Sequence, residues 1–131
     1  MTEQNHAIRN AAAWLASIHE MTAKLDAAVS SETGDDQDDA RQEIEESPLS
    51  IRVRDGWRNP GEDRADPEEF EILLSTGGPA LRIVGDLGAY CQPENARLQW
   101  QDWGTPWTDH ETTLEDDRAL MSFVGVFWFG E

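Results

Sequence analysis

The sequence predicts an α+β fold, a mostly antiparallel sheet of four to five strands with a long N-terminal helix and a shorter late helix. Three observations predict this fold. Residues 4–29 are rich in Ala and contain no Gly or Pro, apolar and polar residues begin to alternate at Leu49, and a helix-capping pattern starts at Thr113. The 131 residues are enough for one modest core. We therefore expect one compact unit, with an N-terminal helix and an acidic linker over residues 1–47 and a sheet domain over residues 48–131.

The long helix is predicted over residues 4–29, where apolar residues recur at alternating steps of three and four. The members of this stripe are Ile8, Ala11, Leu15, Ile18, Thr22, Leu25 and Val29, and Trp14, Met21 and Ala28 widen it on one side. Two interpretations remain open. The stripe packs on the helix's own domain, or it forms a seam for a partner helix, including that of a second copy in a homodimer.

Residues 30–47 change in character, from helix-stopping Ser, Thr and Gly to a dense run of acids. Between Glu32 and Glu46 there are eight acids and a single base, Arg41. Such a run is usually a solvated linker or an exposed face, and the alternative is a docking surface for a basic partner. A short helix over residues 38–46 is compatible with the run, with Ala40 and Ile44 on its weakly apolar side.

The chain from residue 48 onward is predicted to supply the strands. Apolar and polar residues alternate over residues 49–53, which is typical of a half-buried strand. A second strand over residues 70–74 and a third over residues 81–87 flank the Gly-rich turn at residues 75–79, so these two strands are expected to form a hairpin.

Two further strands and the late helix complete the predicted fold. Residues 96–102 are expected to form a fourth strand, and residues 126–129 a fifth that closes the sheet. Thr113 is suited to cap a helix that runs to about residue 124, with Asp116 placing negative charge near its N-terminus.

The net charge indicates what kind of partner the protein has. The chain carries 27 Asp and Glu against 10 Lys and Arg, a formal net charge of -17. Such a surface attracts basic proteins and repels nucleic acid and anionic membranes. The basic residues are scattered singly along the sequence, so direct phosphate-mediated binding of DNA or RNA is not expected. Cys91 is the only cysteine, and no signal peptide or membrane-spanning run is found, so we expect the protein in a reducing cytoplasm.

Motifs for catalysis, cofactors or metals are not found in the sequence. No pair among His6, His19, His110 and Cys91 has the short spacing of a structural zinc site. The acidic run lacks the Gly that an EF-hand calcium loop needs at its sixth position. No nucleophile elbow or phosphate-binding loop occurs either. We therefore expect a protein that is not an enzyme and that has no cofactor.

Tryptophans are concentrated in one part of the chain. Trp100, Trp103 and Trp107 fall within eight positions, and Trp57 lies in an earlier loop. These side chains either pack against the sheet or face solvent as anchors for a partner, because Trp is enriched at binding hot spots. Trp57, Trp103 and Trp107 are the candidate anchors.

Long motifs lie along the C-terminal two-thirds of the chain. They are Glu46-Ser47-Pro48-Leu49-Ser50-Ile51, Arg54-Asp55-Gly56-Trp57, Glu69-Phe70-Glu71-Ile72-Leu73-Leu74-Ser75-Thr76-Gly77-Gly78-Pro79-Ala80, Gln101-Asp102-Trp103-Gly104-Thr105-Pro106-Trp107-Thr108 and Phe127-Trp128-Phe129-Gly130-Glu131. On these motifs, residues 46–131 resemble a family of small acidic proteins carried by phages, prophages and other mobile elements of proteobacteria. The resemblance implies an anti-defence protein of the anti-CRISPR or antirestriction type that acts in a bacterial host cell. The N-terminal helix and the acidic run look like the variable part of such proteins.

Two binding hypotheses follow, and a third alternative is an unrecognised enzyme, which would inactivate its target at less than a one-to-one ratio. In the first, the protein stoichiometrically inhibits a nucleic-acid-binding defence complex by presenting carboxylates in place of phosphates. The carboxylates expected to compete are Asp35, Asp36, Asp38, Asp39, Glu43, Glu45 and Glu46. In the second, the protein is a binding module that uses the Trp-rich loop or the helix stripe, and its acidity serves only solubility.

Overall fold

The computed structural model describes residues 2–31, 34–62, 67–76, 79–102 and 105–129, with side chains from His6 onward. Its elements in chain order are α1 (Thr2–Ser31), α2 (Gly34–Glu46), β1 (Ser50–Asp55), β2 (Pro67–Ser75), β3 (Ala80–Asp86), a turn of 3-10 helix (Ala89–Cys91), β4 (Arg97–Gln101), β5 (Thr108–Asp109) and α3 (Leu114–Val124). The predicted α+β fold, with its long N-terminal helix and shorter late helix, is confirmed.

The five strands follow chain order across the sheet, and each pairs antiparallel with the next. The predicted hairpin of the second and third strands is confirmed by the pairing of β2 with β3. Gly77 and Gly78 in its turn lie outside the described residues. The sheet is therefore a simple meander, with β1 at one edge and β5 at the other.

The hydrophobic core lies between the helices and one face of the sheet. Alternate residues of β2, β3 and β4 point to this face, where α1 packs on β3 and β4 and α3 packs on α1 and β4. The strand residues buried there are Phe70, Ile72, Leu74, Leu81, Ile83, Leu98 and Trp100. Full burial of one such side chain stabilises the fold by about 1.5–3 kcal/mol. The opposite face of the sheet carries no helix in the described part of the chain, and we call it the open face.

The apolar stripe of α1 packs on its own domain, which is the first of the two interpretations. Leu15 and Ile18 are buried at its centre, but Ile8 and Val29 at its ends are exposed. The buried face is displaced toward the side that carries Met21, because α1 contacts α2 and α3 as well as the sheet. Self-association through the stripe would therefore have to use its exposed ends.

The acidic run is an exposed helix face and not a linker, because residues 34–46 form the helix α2. Ala40 and Ile44 are buried, so the predicted weakly apolar side is real and docks on α1. Only two apolar residues form this side of the helix, so its signal in the sequence is weak. Two such residues suffice here, since a helix hairpin buries them against a long neighbouring helix.

The first strand also differs from the prediction of a half-buried strand. Residues 50–54 of β1 are exposed on both sides of the strand. The alternation of residue types is present, but the main contacts of the helices with the sheet lie on β3 and β4. An alternating sequence indicates the faces of a strand but not whether a second layer covers one of them.

The predicted fifth strand at residues 126–129 is wrong, because β5 is formed by Thr108–Asp109. After α3 the chain instead runs irregularly across the core. Phe129 is buried there, with its ring centroid 4.7 Å from that of Phe70. These aromatic residues resemble a strand in sequence, but they fill the core through their side chains.

The late helix α3 begins at the predicted cap. The backbone N–H of Asp116 donates to Thr113 Oγ1 at 3.1 Å, and the N–H of Thr113 donates to Asp116 Oδ2 at 2.9 Å, which completes a capping box. His19 of α1 lies 2.7 Å from Asp116 Oδ1 through its Nε2. The hydrogen bonds from the Thr113 backbone and from His19 lower the pKa of Asp116. The carboxylate of Asp116 thus caps the N-terminus of α3 and links this helix to α1.

Candidate protein-binding surfaces

The seven acids of α2 form one continuous acidic face. All seven carboxylates that the sequence predicts to contact a partner are exposed on this helix. At about 100° per residue they fall within roughly half of the helix circumference, opposite the buried Ala40 and Ile44. The residues of this acidic face are Asp35, Asp36, Asp38, Asp39, Glu43, Glu45 and Glu46. The structure therefore brings together the carboxylates that the sequence places in a run.

Contacts with α1 hold the acidic face in place. Ile44 has no exposed surface, and Gln37 Nε2 donates to the backbone oxygen of Ala28 at 3.5 Å. Lys24 Nζ lies 3.5 Å from Glu43 Oε1, an exposed ion pair between the two helices. Asp35 and Asp36 lie in the first turn of α2, where negative charge interacts favourably with the helix dipole.

The charge density of α2 resembles that of one strand of DNA. Its 13 residues span about 20 Å, and seven acids opposed by Arg41 leave a net charge of about -6. This is about one charge per 3.3 Å, against about one per 3.4 Å for each strand of the double helix. A rigid helix therefore offers a basic site about the same linear charge as nucleic acid.

The proposed tryptophan anchors have different environments. Trp57 is fully exposed, just after β1 at one edge of the sheet. Trp107 is partly buried just before β5, at the other edge, and its ring stacks on the guanidinium of Arg82 with 4.1 Å between Arg82 Cζ and the ring centroid. Trp103 lies outside the described residues. The structure does not bring Trp57 and Trp107 together into a single aromatic surface.

Trp128 is an exposed aromatic side chain that the sequence pattern does not single out as a candidate contact. Residues 126–129 resemble a strand in sequence, and inward and outward positions cannot be told apart when a segment is apolar throughout. Phe129 turns inward and Trp128 outward.

The open face of the sheet carries a chain of polar contacts that crosses all five strands. Arg52 Nε on β1 donates to Glu71 Oε1 on β2 at 2.8 Å, and Arg82 Nη1 on β3 donates to Glu71 Oε2 at 2.7 Å. Arg82 Nε then donates to Gln99 Oε1 on β4 at 2.8 Å, and Gln99 Nε2 donates to Asp109 Oδ1 on β5 at 2.7 Å. This polar ladder fixes the register of the strands from the solvent side.

Glu71 is the centre of the polar ladder. Partial burial acts to raise the pKa of its carboxyl group, but the hydrogen bonds and charges of Arg82 and Arg52 outweigh that effect and lower the pKa. The neighbouring ion pair, between Arg54 and Glu69, is more exposed. Its Arg54 Nε donates to Glu69 Oε2 at 2.6 Å.

The open face also gathers basic residues that are scattered in the sequence. Strand register places Arg52, Arg54, Arg82 and Arg97 on this face, where they line a groove of about 480 Å³. The prediction that the bases lie singly among acids is thus incomplete. Glu69 and Glu71 lie between three of these arginines, so the groove is a mixed surface of ion pairs and not a basic patch.

Metal-binding clusters and membrane-spanning helices are both absent from the described part of the chain. Within it, no group of three or more His, Cys, Asp or Glu side chains is arranged to hold a metal ion. None of the described helices is long and apolar enough to cross a membrane.

Comparisons with protein-family models, curated proteins and solved structures find no match to this chain.

Proposed function

We propose that this protein is a stoichiometric inhibitor that binds a basic, nucleic-acid-binding protein through the acidic face of α2. One observation carries the proposal. A docked helix presents seven carboxylates on one side, at about the linear charge density of a DNA strand. A partner that binds nucleic acid through rows of Lys and Arg would meet a similar charge pattern on a preformed surface.

The physical basis of inhibition is competition for the same cations. The net charge of -17 steers a basic partner toward the protein, and the acidic face then occupies the groove that phosphates would occupy. Neither step requires catalysis or a cofactor. The further proposal that the target belongs to a host defence complex rests only on the sequence resemblance of residues 46–131.

A second candidate function is supported by the exposure of Trp57. A fully exposed Trp in a loop beside an edge strand is suited to anchor a protein partner. In this case the protein is a binding module without nucleic-acid mimicry, and its acidity serves only solubility.

The test is capture from a fraction of a bacterial lysate that has been eluted from immobilised double-stranded DNA. The immobilised protein should retain basic proteins from this fraction in a fixed molar ratio. Retention should fall steeply as salt rises, because ionic strength screens contacts between exposed charges. Retention that is insensitive to salt would contradict the mimic and favour the second candidate.

Two variants with equal net charge separate the acidic face from general acidity. The first removes four carboxylates of α2 outside its first turn, with the substitutions Asp38→Asn, Asp39→Asn, Glu45→Gln and Glu46→Gln. The matched control removes four exposed carboxylates elsewhere, with the substitutions Glu62→Gln, Glu68→Gln, Glu94→Gln and Glu111→Gln. Capture should be lost with the first variant and kept with the control. Trp57→Ala should abolish capture only if the second candidate is correct.

A further inference from the structure

β1 ends the sheet without a neighbour on its outer side among the described strands. Its strand partner is β2, and residues 50–54 are exposed. The outer edge of such a strand presents backbone N–H and C=O groups that are available to pair with another strand. This edge is distinct from the acidic face of α2.

An apolar strip runs along one side of β1. Leu49, Ile51 and Val53 are 60%, 39% and 38% exposed. Ile51 is paired with Ile72 and Val53 with Phe70, both of which are buried in the core. The apolar layer of the core thus continues onto β1, beyond the part of the sheet on which the helices pack.

We infer that β1 pairs antiparallel with β1 of a second copy, which joins two sheets across a two-fold axis centred on Ile51. The strand is self-complementary in this register, because apolar residues lie at Ile51 and two positions to each side. Leu49 of one copy lies opposite Val53 of the other on the apolar side, and Ser50 lies opposite Arg52 on the open side. A two-fold interface requires such symmetry, because the same strand forms both halves.

Charge also favours this register. No acid occurs from Ser47 to Arg54, so two chains of net charge -17 can approach here without opposed carboxylates. Arg52 and Arg54 are already paired with Glu71 and Glu69. A register centred on Arg52 would place two guanidinium groups directly opposite each other, which is destabilising.

The alternative site for self-association on α1 provides the control. Ile8 is the exposed end of the α1 stripe and is 44% exposed, close to the value for Ile51. The substitutions Ile51→Lys and Ile8→Lys therefore add the same charge at two similarly exposed isoleucines. Neither side chain belongs to the acidic face of α2.

The first test is the molar mass by light scattering over a concentration series, without any partner protein. The unmodified chain should reach about twice its monomer mass of 14.7 kDa. Ile51→Lys should raise the dissociation constant of the dimer by about tenfold or more, whereas Ile8→Lys should leave it unchanged. A chain that stays at 14.7 kDa, or a dimer that is lost only with Ile8→Lys, would overturn the inference.

The second test is a disulfide that fixes the register. Directly opposed Cα atoms of antiparallel strands lie about 4.5–5.5 Å apart, a separation that a disulfide can bridge. Ile51→Cys in a Cys91→Ser background should form a covalent dimer on mild oxidation, and Ile8→Cys in the same background should not. Failure of the Ile51→Cys chain to cross-link would refute the register. Both tests use the protein alone, so their failure would leave the proposed function of the acidic face intact.

Discussion

Glu71 connects the strands of the open face through two arginines, and Asp116 connects two helices through a cap and a histidine. Both are carboxylates whose pKa is lowered by folding. A lowered pKa means that the carboxylate is more stable relative to its protonated form in the folded state than in the unfolded state. These two side chains therefore link the stability of the protein to pH.

Glu71→Gln is expected to destabilise the protein at neutral pH and to matter less in acid. Because the pKa of Glu71 is lowered in the fold, its ion pairs stabilise above the usual glutamate pKa of about 4.3, and the effect is lost as pH falls through the folded pKa. We expect a loss of about 1 kcal/mol at neutral pH, allowing for partial solvent screening. Urea unfolding at several pH values measures it. Glu69→Gln, in the more exposed pair with Arg54, should change stability less, and an equal effect of the two would contradict the central role of Glu71.

Thr113→Ala is expected to destabilise α3 by about 1 kcal/mol, since it removes the side-chain oxygen that accepts the Asp116 N–H. Thermal or urea unfolding measures the change. Thr113→Ser keeps the hydroxyl and serves as the control, so a loss of the same size with Ser would show that the cap is not the cause.

At the scale of elements, the helix α2 is what places the acids of a continuous sequence run on one exposed face. Ala40 and Ile44 hold it on α1, and the acids point away. The binding proposal depends on this docking, because a flexible acidic segment would pay the entropy of ordering when it binds.

Ile44→Ala is expected to lower the free energy of unfolding by about 2–3 kcal/mol and to loosen α2 while every carboxylate is retained. Amide hydrogen exchange should accelerate in α2, and capture of basic proteins should weaken. Ile8→Ala at an exposed position should change stability by no more than about 0.5 kcal/mol. Full capture by an Ile44→Ala chain with fast exchange in α2 would show that docking is unnecessary.

Local sequence patterns predicted most of the helices and strands, but not how these elements pack against one another. The period of α1, the alternation near residue 49 and the cap at Thr113 each identified an element. The uncovered apolar side of β1 and the inward turn of Phe129 depend on where the helices pack, which is non-local. The acids of the candidate site could be predicted because they are contiguous in sequence. The arginines of the open face could not, because only strand register brings them together.

At the scale of the whole molecule, the net charge of -17 sets opposite salt dependences for the two proposed interfaces. Binding of a basic partner gains from the charge and should weaken as salt screens it. Pairing of two β1 strands opposes like-charged chains, so it should strengthen with salt.

A salt series separates these two interfaces in one preparation. Between low and high ionic strength, capture of basic proteins should fall while the dimer fraction from light scattering rises. If both quantities fall together, the dimer contact is electrostatic, and pairing through the apolar strip of β1 is wrong.

The central claim is that the acidic face of α2 takes the place of nucleic acid, and a competition measurement tests it most directly. A captured basic protein is first bound to a fluorescent DNA duplex. The acidic chain that carries α2 is then titrated in, and the anisotropy of the duplex is followed. We expect displacement of the DNA that is complete at a fixed molar ratio, and none with the chain that lacks the four α2 carboxylates. A ternary complex in which the DNA stays bound, or equal displacement by that variant, would contradict the claim.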